Sequence, residues 1–225
     1  MKYYPVNLNI RNRKILLIGG GKVALRKLKR LLKCGSKVKI VSPKLTKEFE
    51  EFIESRDYFD FKNDLNEFKY SVNLQYFKRR FKKEDLNDVF LVIAAADNQK
   101  INERIARIAN KKDIMVNVVN DKEISDFNLP VVINRGDFLL SFTTSSQLPA
   151  LSKSLREKFE DEFGNEYALF IDIMRDLYLE NMEKLEGREK LNKLFNNLVD
   201  GELIEKISDV EKEINKEIAI TDITD

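Results

Sequence analysis

The stretch KILLIGGGKVA, residues 14–24, decides the fold class of this chain. A short apolar run leads directly into three glycines, and a helical pattern of apolar residues follows them. A strand, a glycine-rich turn and a helix in this order are typical of a dinucleotide-binding fingerprint. Gly19 permits the tight turn, Gly21 allows a pyrophosphate to approach the backbone, and Ala24 lets the helix pack close to the strand. A tight turn without a ligand is the alternative interpretation.

Short β-rich runs alternate with helical patterns through the first half of the chain. Apolar runs at 37–41, 89–95 and 114–119 and alternating apolar positions at 70–77 predict further strands. Strands that alternate with helices favour a Rossmann-like, doubly wound parallel sheet in an α/β fold. We expect a surface insertion or a hairpin within 58–83. The pattern then changes to two strand-like runs around Arg135-Gly136-Asp137, and to helices from Pro149 onward. The predicted domains are 1–125, a short β element at 126–148, and a helical domain at 149–225.

Composition excludes several classes of function. The chain has 225 residues, with 40 Lys+Arg against 38 Asp+Glu, no histidine and one cysteine. A net charge of +2 gives no global field that would recruit nucleic acid or an acidic membrane. Without histidine, a Ser-His-Asp or Cys-His mechanism is impossible, and one cysteine excludes a multi-cysteine metal site, so we predict no bound metal. No apolar run approaches the ~18 residues of a membrane span, and no signal-peptide pattern is evident, so we expect a cytoplasmic protein.

The ends of the second and fourth strands extend the candidate cofactor site. The second strand ends in Ser42-Pro43-Lys44, without the carboxylate that commonly binds a ribose 2′-hydroxyl. Ser42 could bond a ribose hydroxyl and Lys44 could accommodate a 2′-phosphate, so NAD and NADP both stay open. The small residues before Asp97 would let a nucleotide lie against the sheet, although close packing explains them equally well. The predicted cofactor-binding residues are Gly19, Gly20, Gly21, Lys22, Val23, Ala24, Ser42, Pro43, Lys44, Ala94, Ala95 and Asp97.

Six segments of the chain form an ordered set: YPVNL at 4–8, IGGGKVALRK at 18–27, AAAD at 94–97, NVVND at 117–121, FNLP at 127–130 and QLPALS at 147–152. The glycine-rich block alone is a weak signal, whereas the ordered set is fairly specific. The set resembles the precorrin-2 dehydrogenase family, which includes the N-terminal module of siroheme synthases.

The resemblance implies an NAD-binding domain, a central β element for dimerisation and a helical domain beside the active-site cleft. It also implies a homodimer that transfers a hydride from precorrin-2 to NAD⁺, giving sirohydrochlorin. Some members of the family then insert ferrous iron into the product, whereas others are dehydrogenases only. A non-catalytic protein that binds a dinucleotide or a tetrapyrrole is the alternative function.

The family has a carboxylate directly after its Asn-Val-Val segment, and the resemblance ties that residue to catalysis. Here Asn120 occupies the position and Asp121 follows, so both are the predicted catalytic residues. An asparagine cannot act as a general base, and macrocycle metallation requires removal of pyrrole protons, so iron insertion is the activity most in question. A simple turn formed by Asn120 and Asp121 is the alternative interpretation.

The predicted substrate-binding residues lie in the second half of the chain. The hydroxyl-rich segment Thr143, Thr144 and Ser145 precedes the Pro149 helix, where its side chains could bind substrate carboxylates or cap the helix. Arg135, Lys153 and Arg156 are candidate cations for a substrate ringed with carboxylates. Each of the three could equally be an ordinary solvated charge.

Overall fold

The computed structural model describes residues 3–55, 74–144 and 148–165, together with 167, 168, 170–172 and 175. The chain divides into two compact units, Met1–Leu129 and Pro130–Asp225. Most of the predicted insertion, Ser145, and the helices expected beyond residue 175 lie outside the described residues. Within the described part, no helix is both long enough and apolar enough to cross a membrane.

A five-stranded parallel sheet forms the centre of the first unit, in the order β3-β2-β1-β4-β5. The predicted Rossmann-like α/β fold is therefore confirmed. The strands are β1 (Lys14–Ile18), β2 (Lys37–Ser42), β3 (Leu74–Lys78), β4 (Leu91–Ala94) and β5 (Met115–Val118), and the helices are α1 (Lys22–Lys33), α2 (Lys47–Ser55) and α3 (Gln99–Asn110).

Both faces of the sheet are covered, which explains the uninterrupted apolar runs in the sequence. Ile15, Leu16 and Leu17 of β1 are fully buried, although successive side chains point to opposite faces. Ile15 and Leu17 belong to the core that includes residues of α1 and α2, whereas Leu16 belongs to the core that includes residues of α3. The helices thus lie on opposite faces, and their N-termini meet one edge of the sheet.

Residues 74–78 form a strand of the sheet, as the alternation at 70–77 predicts, although they lie within the stretch where an insertion or a hairpin was expected. β3 pairs in parallel with β2. Beyond β3, the carboxylate of Asp85 is 2% exposed and accepts two hydrogen bonds from Arg79, at 2.6 and 2.8 Å. Lys39 of β2 lies 2.7 Å from the same carboxylate. This ion cluster connects β2 with the turns before β4.

Side chains of the following loop close the outer edge of β5. The backbone N–H of Val116 donates to the Asp126 carboxylate at 2.8 Å, and the Asp126 N–H donates to the Val116 carbonyl at 2.9 Å. The Val118 N–H donates to the Ser125 hydroxyl at 2.9 Å. The loop thereby satisfies backbone groups that a further strand would otherwise pair with.

The second unit begins with an antiparallel pair, β6 (Val131–Arg135) and β7 (Phe138–Phe142), whose turn contains Gly136 at φ +60°. The helix α4 (Pro149–Glu162) follows. Rings of β7 and α4 contact one another, with Phe142 and Phe159 packed edge to face at 5.4 Å between centroids. Aromatic packing therefore connects the β pair with the helix inside this unit.

Candidate functional site

The glycine loop lies at the point where the strand order of the sheet reverses. β1 pairs with β2 on one side and with β4 on the other, and the carboxyl ends of all three strands meet at one edge. In open α/β sheets, ligands bind in the crevice outside the carboxyl ends of the strands at this switch point. The sequence places Gly19-Gly20-Gly21 directly at that crevice.

Two of the three glycines are required by the protein itself. Gly19 has φ +125°, and a Cβ there would overlap the Ala95 carbonyl after β4. A Cβ on Gly20 would overlap the Lys44 carbonyl, and the Ser42 hydroxyl would lie 2.8 Å away. The loops that follow β2 and β4 therefore press directly on the glycine turn.

Gly21 is different, because space is left beside it. A Cβ at Gly21 would meet its nearest neighbour, the Asp97 carboxylate oxygen Oδ1, only at 3.9 Å, and its φ of −90° is accessible to any residue. Gly21 is the N-cap of α1, and no side chain caps this helix end. Lys22 and Val23 in the first turn are exposed. An open backbone with uncapped N–H groups at a helix N-terminus fits a pyrophosphate.

The end of β2 is folded over the glycine loop. Ser42 is 4% exposed, and its hydroxyl donates to the Lys44 carbonyl at 2.6 Å, so this proton is not free for a ribose. The Thr46 N–H donates to the Gly20 carbonyl at 2.8 Å. Pro43 and Lys44 are exposed. The Thr46 hydroxyl is buried without a hydrogen-bond partner among the described residues, and sequence reasoning did not single it out.

The end of β4 presents Asp97 beside Gly21. Ala94 and Ala95 are buried, and the Asn102 side chain of α3 both accepts from the Ala96 N–H at 3.0 Å and donates to the Ala96 carbonyl at 2.9 Å. This pair of hydrogen bonds fixes the turn, so that the exposed Asp97 follows a rigid residue. Asn102 was also missed, although a polar residue on the apolar face of α3 was the available signal.

Asn120 and Asp121 form a turn just after β5, at the same edge of the sheet. Asn120 is exposed with φ +65°, a conformation that asparagine tolerates better than most residues. The Asp121 carboxylate accepts from the Gln99 side chain at 2.9 Å and from the Glu123 N–H at 3.2 Å. Asp121 thus holds the turn to the start of α3, while the Asn120 side chain stands at the surface.

A lysine that sequence reasoning missed connects α1 with β5. Lys27 donates to the Asn117 side-chain oxygen at 3.1 Å, and Asn117, 6% exposed, donates to the Phe127 carbonyl at 2.8 Å. Burial, together with the smaller effect of the neighbouring charges of Arg26 and Arg30, lowers the pKa of Lys27 to about 8. The available signal was its position, since Lys27 lies one helical turn from Val23 and from Leu31 on the apolar face of α1.

A family model described as "Putative NAD(P)-binding" matches residues 6–131, more than half of the chain. The chain belongs to this NAD(P)-binding family. Curated relatives named siroheme synthase share 32% identity over 160 residues in Photorhabdus laumondii and 33% over 173 residues in Actinobacillus succinogenes. These alignments cover 71% and 77% of this chain but 31% and 33% of the relatives. The chain therefore spans about a third of the length of these relatives, and the resemblance to the siroheme-synthase module is confirmed.

A solved structure named SirC, precorrin-2 dehydrogenase, has the same fold. The two structures superpose with a TM-score of 0.73, covering 96% of this chain and 99% of the other, at 21% sequence identity. At this identity the similarity establishes the fold. In a member of the NAD(P)-binding family, the open side of Gly21 and the uncapped start of α1 are the features that fit the dinucleotide.

The basic side chains that were predicted to bind substrate carboxylates form hydrogen bonds and ion pairs within the second unit. The Arg135 guanidinium donates to the carbonyls of Phe163 at 2.9 Å and Glu160 at 3.2 Å, at the end of α4. Exposed Lys153 and Arg156 lie one turn before Glu157 and Glu160, at 3.6 and 2.8 Å.

The hydroxyl-rich segment contacts the first turns of α4. The Thr144 and Ser152 hydroxyls are 2.5 Å apart, and Thr143 is exposed. Ser145 lies outside the described residues. Among the residues that the structure describes, no group of three or more potential metal-binding side chains is found.

Proposed function

We propose that this chain oxidises precorrin-2 to sirohydrochlorin, with NAD⁺ as the hydride acceptor. The observation that carries the proposal is the open Gly21 at the switch point of the sheet, beside Asp97 and the uncapped start of α1. The family match supports a dinucleotide at this place. The siroheme synthase relatives and the fold of the precorrin-2 dehydrogenase structure support the tetrapyrrole substrate.

The residues at the sheet edge would divide the binding of the dinucleotide among them. We assign the pyrophosphate to Gly21 and to the N–H groups of Lys22 and Val23, with Ala24 allowing the close approach of α1. Gly19, Gly20, Ser42, Pro43, Ala94 and Ala95 shape the loops, and Lys44 and Asp97 are the polar side chains exposed beside them. When bound, NAD⁺ supplies the acceptor for a hydride.

Hydride transfer itself asks for positioning more than for acid–base chemistry. We propose that Asn120 faces the reacting edge of the macrocycle and contributes hydrogen bonds, and that Asp121 fixes the turn that presents it. A carboxamide suffices for this role, because the proton that the substrate loses along with the hydride can pass to water. Thr143, Thr144 and Ser145 stay candidates for the substrate carboxylates. So do the three cations Arg135, Lys153 and Arg156, of which Lys153 and Arg156 form solvent-exposed ion pairs.

We also propose that the protein is a cytoplasmic homodimer. The family resemblance supports the dimer. Ferrous iron would be a second substrate only if a group other than Asn120 accepts the pyrrole protons, since an amide cannot accept them.

The test is an anaerobic assay with the purified chain, enzymatically made precorrin-2 and NAD⁺, in which NADH and the sirohydrochlorin spectrum are followed together. Equal growth of both signals supports the dehydrogenase. Binding of both ligands without turnover, in the wild type and in Asn120→Asp, would instead support a non-catalytic binding protein.

The same two proteins test iron insertion. With sirohydrochlorin and ferrous iron, we expect the wild type to match the uncatalysed rate and Asn120→Asp to exceed it. Equal rates in both proteins would show that position 120 does not limit metallation.

A further inference from the structure

Lys27 is an unusual residue for the inner face of a helix. In the part of the chain that the structure describes, its ammonium forms no ion pair, and its polar contact is the neutral side-chain oxygen of Asn117, at 3.1 Å. Burial of a cation without a counter-charge is unfavourable, and an apolar residue of similar length would pack at less cost. Such a cost is expected where the charged side chain has a function.

The contact made by Lys27 determines the orientation of the Asn117 side chain. An ammonium group only donates hydrogen bonds, so it selects the oxygen end of the amide. The nitrogen end must then point the other way, where it donates to the Phe127 carbonyl at 2.8 Å. Lys27 therefore favours the hydrogen bond from Asn117 to the Phe127 carbonyl without taking part in it.

Asn117 closes the base of the loop that carries the candidate catalytic residues. Its own position in β5 lies three residues before Asn120, and its partner Phe127 lies at the far end of the loop. The Val116–Asp126 and Val118–Ser125 hydrogen bonds hold the same loop from the edge of the sheet. Lys27 holds the loop from the other side. It lies in α1, the helix whose first turn follows the glycine loop that would bind the dinucleotide.

We propose that Lys27 is a positioning residue that, through Asn117, holds the 118–127 loop and thereby places Asn120 relative to a dinucleotide bound at the start of α1. The expected effect of Lys27 on turnover rests on the proposed function, whereas its expected effect on the order of the 118–127 loop does not. It adds a role for a residue of α1 beyond the glycine fingerprint.

The test compares Lys27→Met, which keeps the length of the side chain but removes the donor, with Lys27→Arg, which keeps donor and charge. Arg26→Met is the matched control, because it removes a cation from an exposed position of the same helix. For each protein, kcat, KM for NAD⁺, melting temperature and hydrogen–deuterium exchange of residues 118–127 are measured. Exchange of the loop reports its order without any need for turnover.

We expect Lys27→Met to lower kcat about tenfold or more, to change KM for NAD⁺ less than about threefold, and to speed exchange in 118–127 while β1 and β4 stay protected. Lys27→Arg should keep most of the wild-type kcat and most of the protection of the loop from exchange. Arg26→Met should resemble the wild type. Asn117→Asp should also loosen the loop, although it gives Lys27 a counter-charge, because the Phe127 carbonyl loses its donor.

Two results would overturn the inference. In the first, loop exchange and kcat in Lys27→Met are unchanged. In the second, kcat, cofactor binding and melting temperature fall together, which would give Lys27 a purely structural role. If the wild type itself does not turn over precorrin-2, the proposed function fails, and the exchange data alone decide whether Lys27 holds the loop.

Discussion

The three adjacent glycines after β1 differ in what surrounds them, and a substitution at each should have a different effect. Gly21 has open space where a ligand fits, so we expect Gly21→Val to fold normally but to weaken NAD⁺ binding at least about tenfold. Titration calorimetry with NAD⁺ and thermal unfolding would measure the two effects. A variant that binds NAD⁺ as the wild type does would place the dinucleotide elsewhere.

Gly20→Ala is the matched comparison. Its Cβ would overlap the Lys44 carbonyl, so this smaller change should lower the melting temperature, whereas Gly21→Val should not. The contrast between the two variants separates loss of a binding surface from loss of the fold.

Lys27 should make stability depend on pH in a direction that can be worked out. Burial lowers its pKa from 10.5 to about 8, so between these values the unfolded chain binds more protons than the folded one. Stability conferred by Lys27 must therefore rise with pH across this window. Urea unfolding at pH 7.5 and pH 9.5 should show the wild type gaining stability relative to Lys27→Met.

The quantity to measure is the difference in free energy of unfolding between the wild type and Lys27→Met. Burial raises the pKa of both Cys34 and Tyr76, and these groups act in the opposite direction. Their effects are common to both proteins and cancel. A difference in stability that stays constant with pH would contradict the shift assigned to Lys27.

Among the elements, α4 depends on a residue from the preceding β pair. Arg135 donates to two carbonyls at the C-terminal end of α4, so we expect Arg135→Met to cost about 2 kcal/mol and to speed amide exchange there. Arg156→Met, which removes an exposed i,i+4 pair, should cost less than about 0.5 kcal/mol. If Arg135→Met instead raised KM for precorrin-2 at unchanged stability, Arg135 would be a substrate ligand.

The connection between β2 and the turn before β4 depends on Asp85. Burial raises the pKa of this carboxyl, but hydrogen bonds from Arg79, Lys39 and the Lys82 N–H outweigh it and hold the pKa far below the ordinary 3.8. Asp85→Asn leaves the partly exposed cations Lys39 and Arg79 without their counter-charge, so we expect a loss of about 2 kcal/mol at pH 7. Denaturant unfolding, with exposed Glu84→Gln as the control, would measure it.

The sign of the Asp85 effect also follows from its pKa. A depressed pKa stabilises the folded state above the ordinary value, and this stabilisation is lost as pH falls below it. The stability difference between the wild type and Asp85→Asn should therefore shrink from pH 5 to pH 3. An unchanged difference would mean that the carboxylate contributes little.

Periodicity in the sequence predicted the strands of the sheet and the helices that cover it, because the apolar residues that each element buries recur at a regular spacing. β1, β4 and β5 are apolar on both faces, and the glycine loop follows β1 as the fingerprint requires. Contacts between distant residues were not predictable in this way. The Lys27–Asn117 and Arg79–Asp85 contacts depend on which helix or turn crosses which strand. Taken from the sequence alone, Lys27, Arg79 and Asp85 are ordinary surface charges. The hydrogen bonds of Arg135 were not predictable either, because the sequence does not show that a helix end lies beside it.

At the scale of the whole molecule, the described apolar core lies almost entirely in the first unit. Apart from Ile133, every apolar residue found buried precedes residue 119. We therefore expect the fragment 1–129 to unfold cooperatively and to bind NAD⁺ within about threefold of the full chain, but to lack precorrin-2 turnover. Calorimetry of the fragment measures both properties. A fragment that does not fold would show that the second unit is needed for the sheet.

The closed border of β5 has a consequence for how the molecule behaves in a crowded solution. Exposed strand edges are templates on which other chains align and from which aggregates grow. At Val116 and Val118 the side chains of Asp126 and Ser125 already occupy the positions where a foreign strand would dock. Mutation of Asp126 and Ser125 would therefore lower the shelf life of the protein and its yield at high concentration.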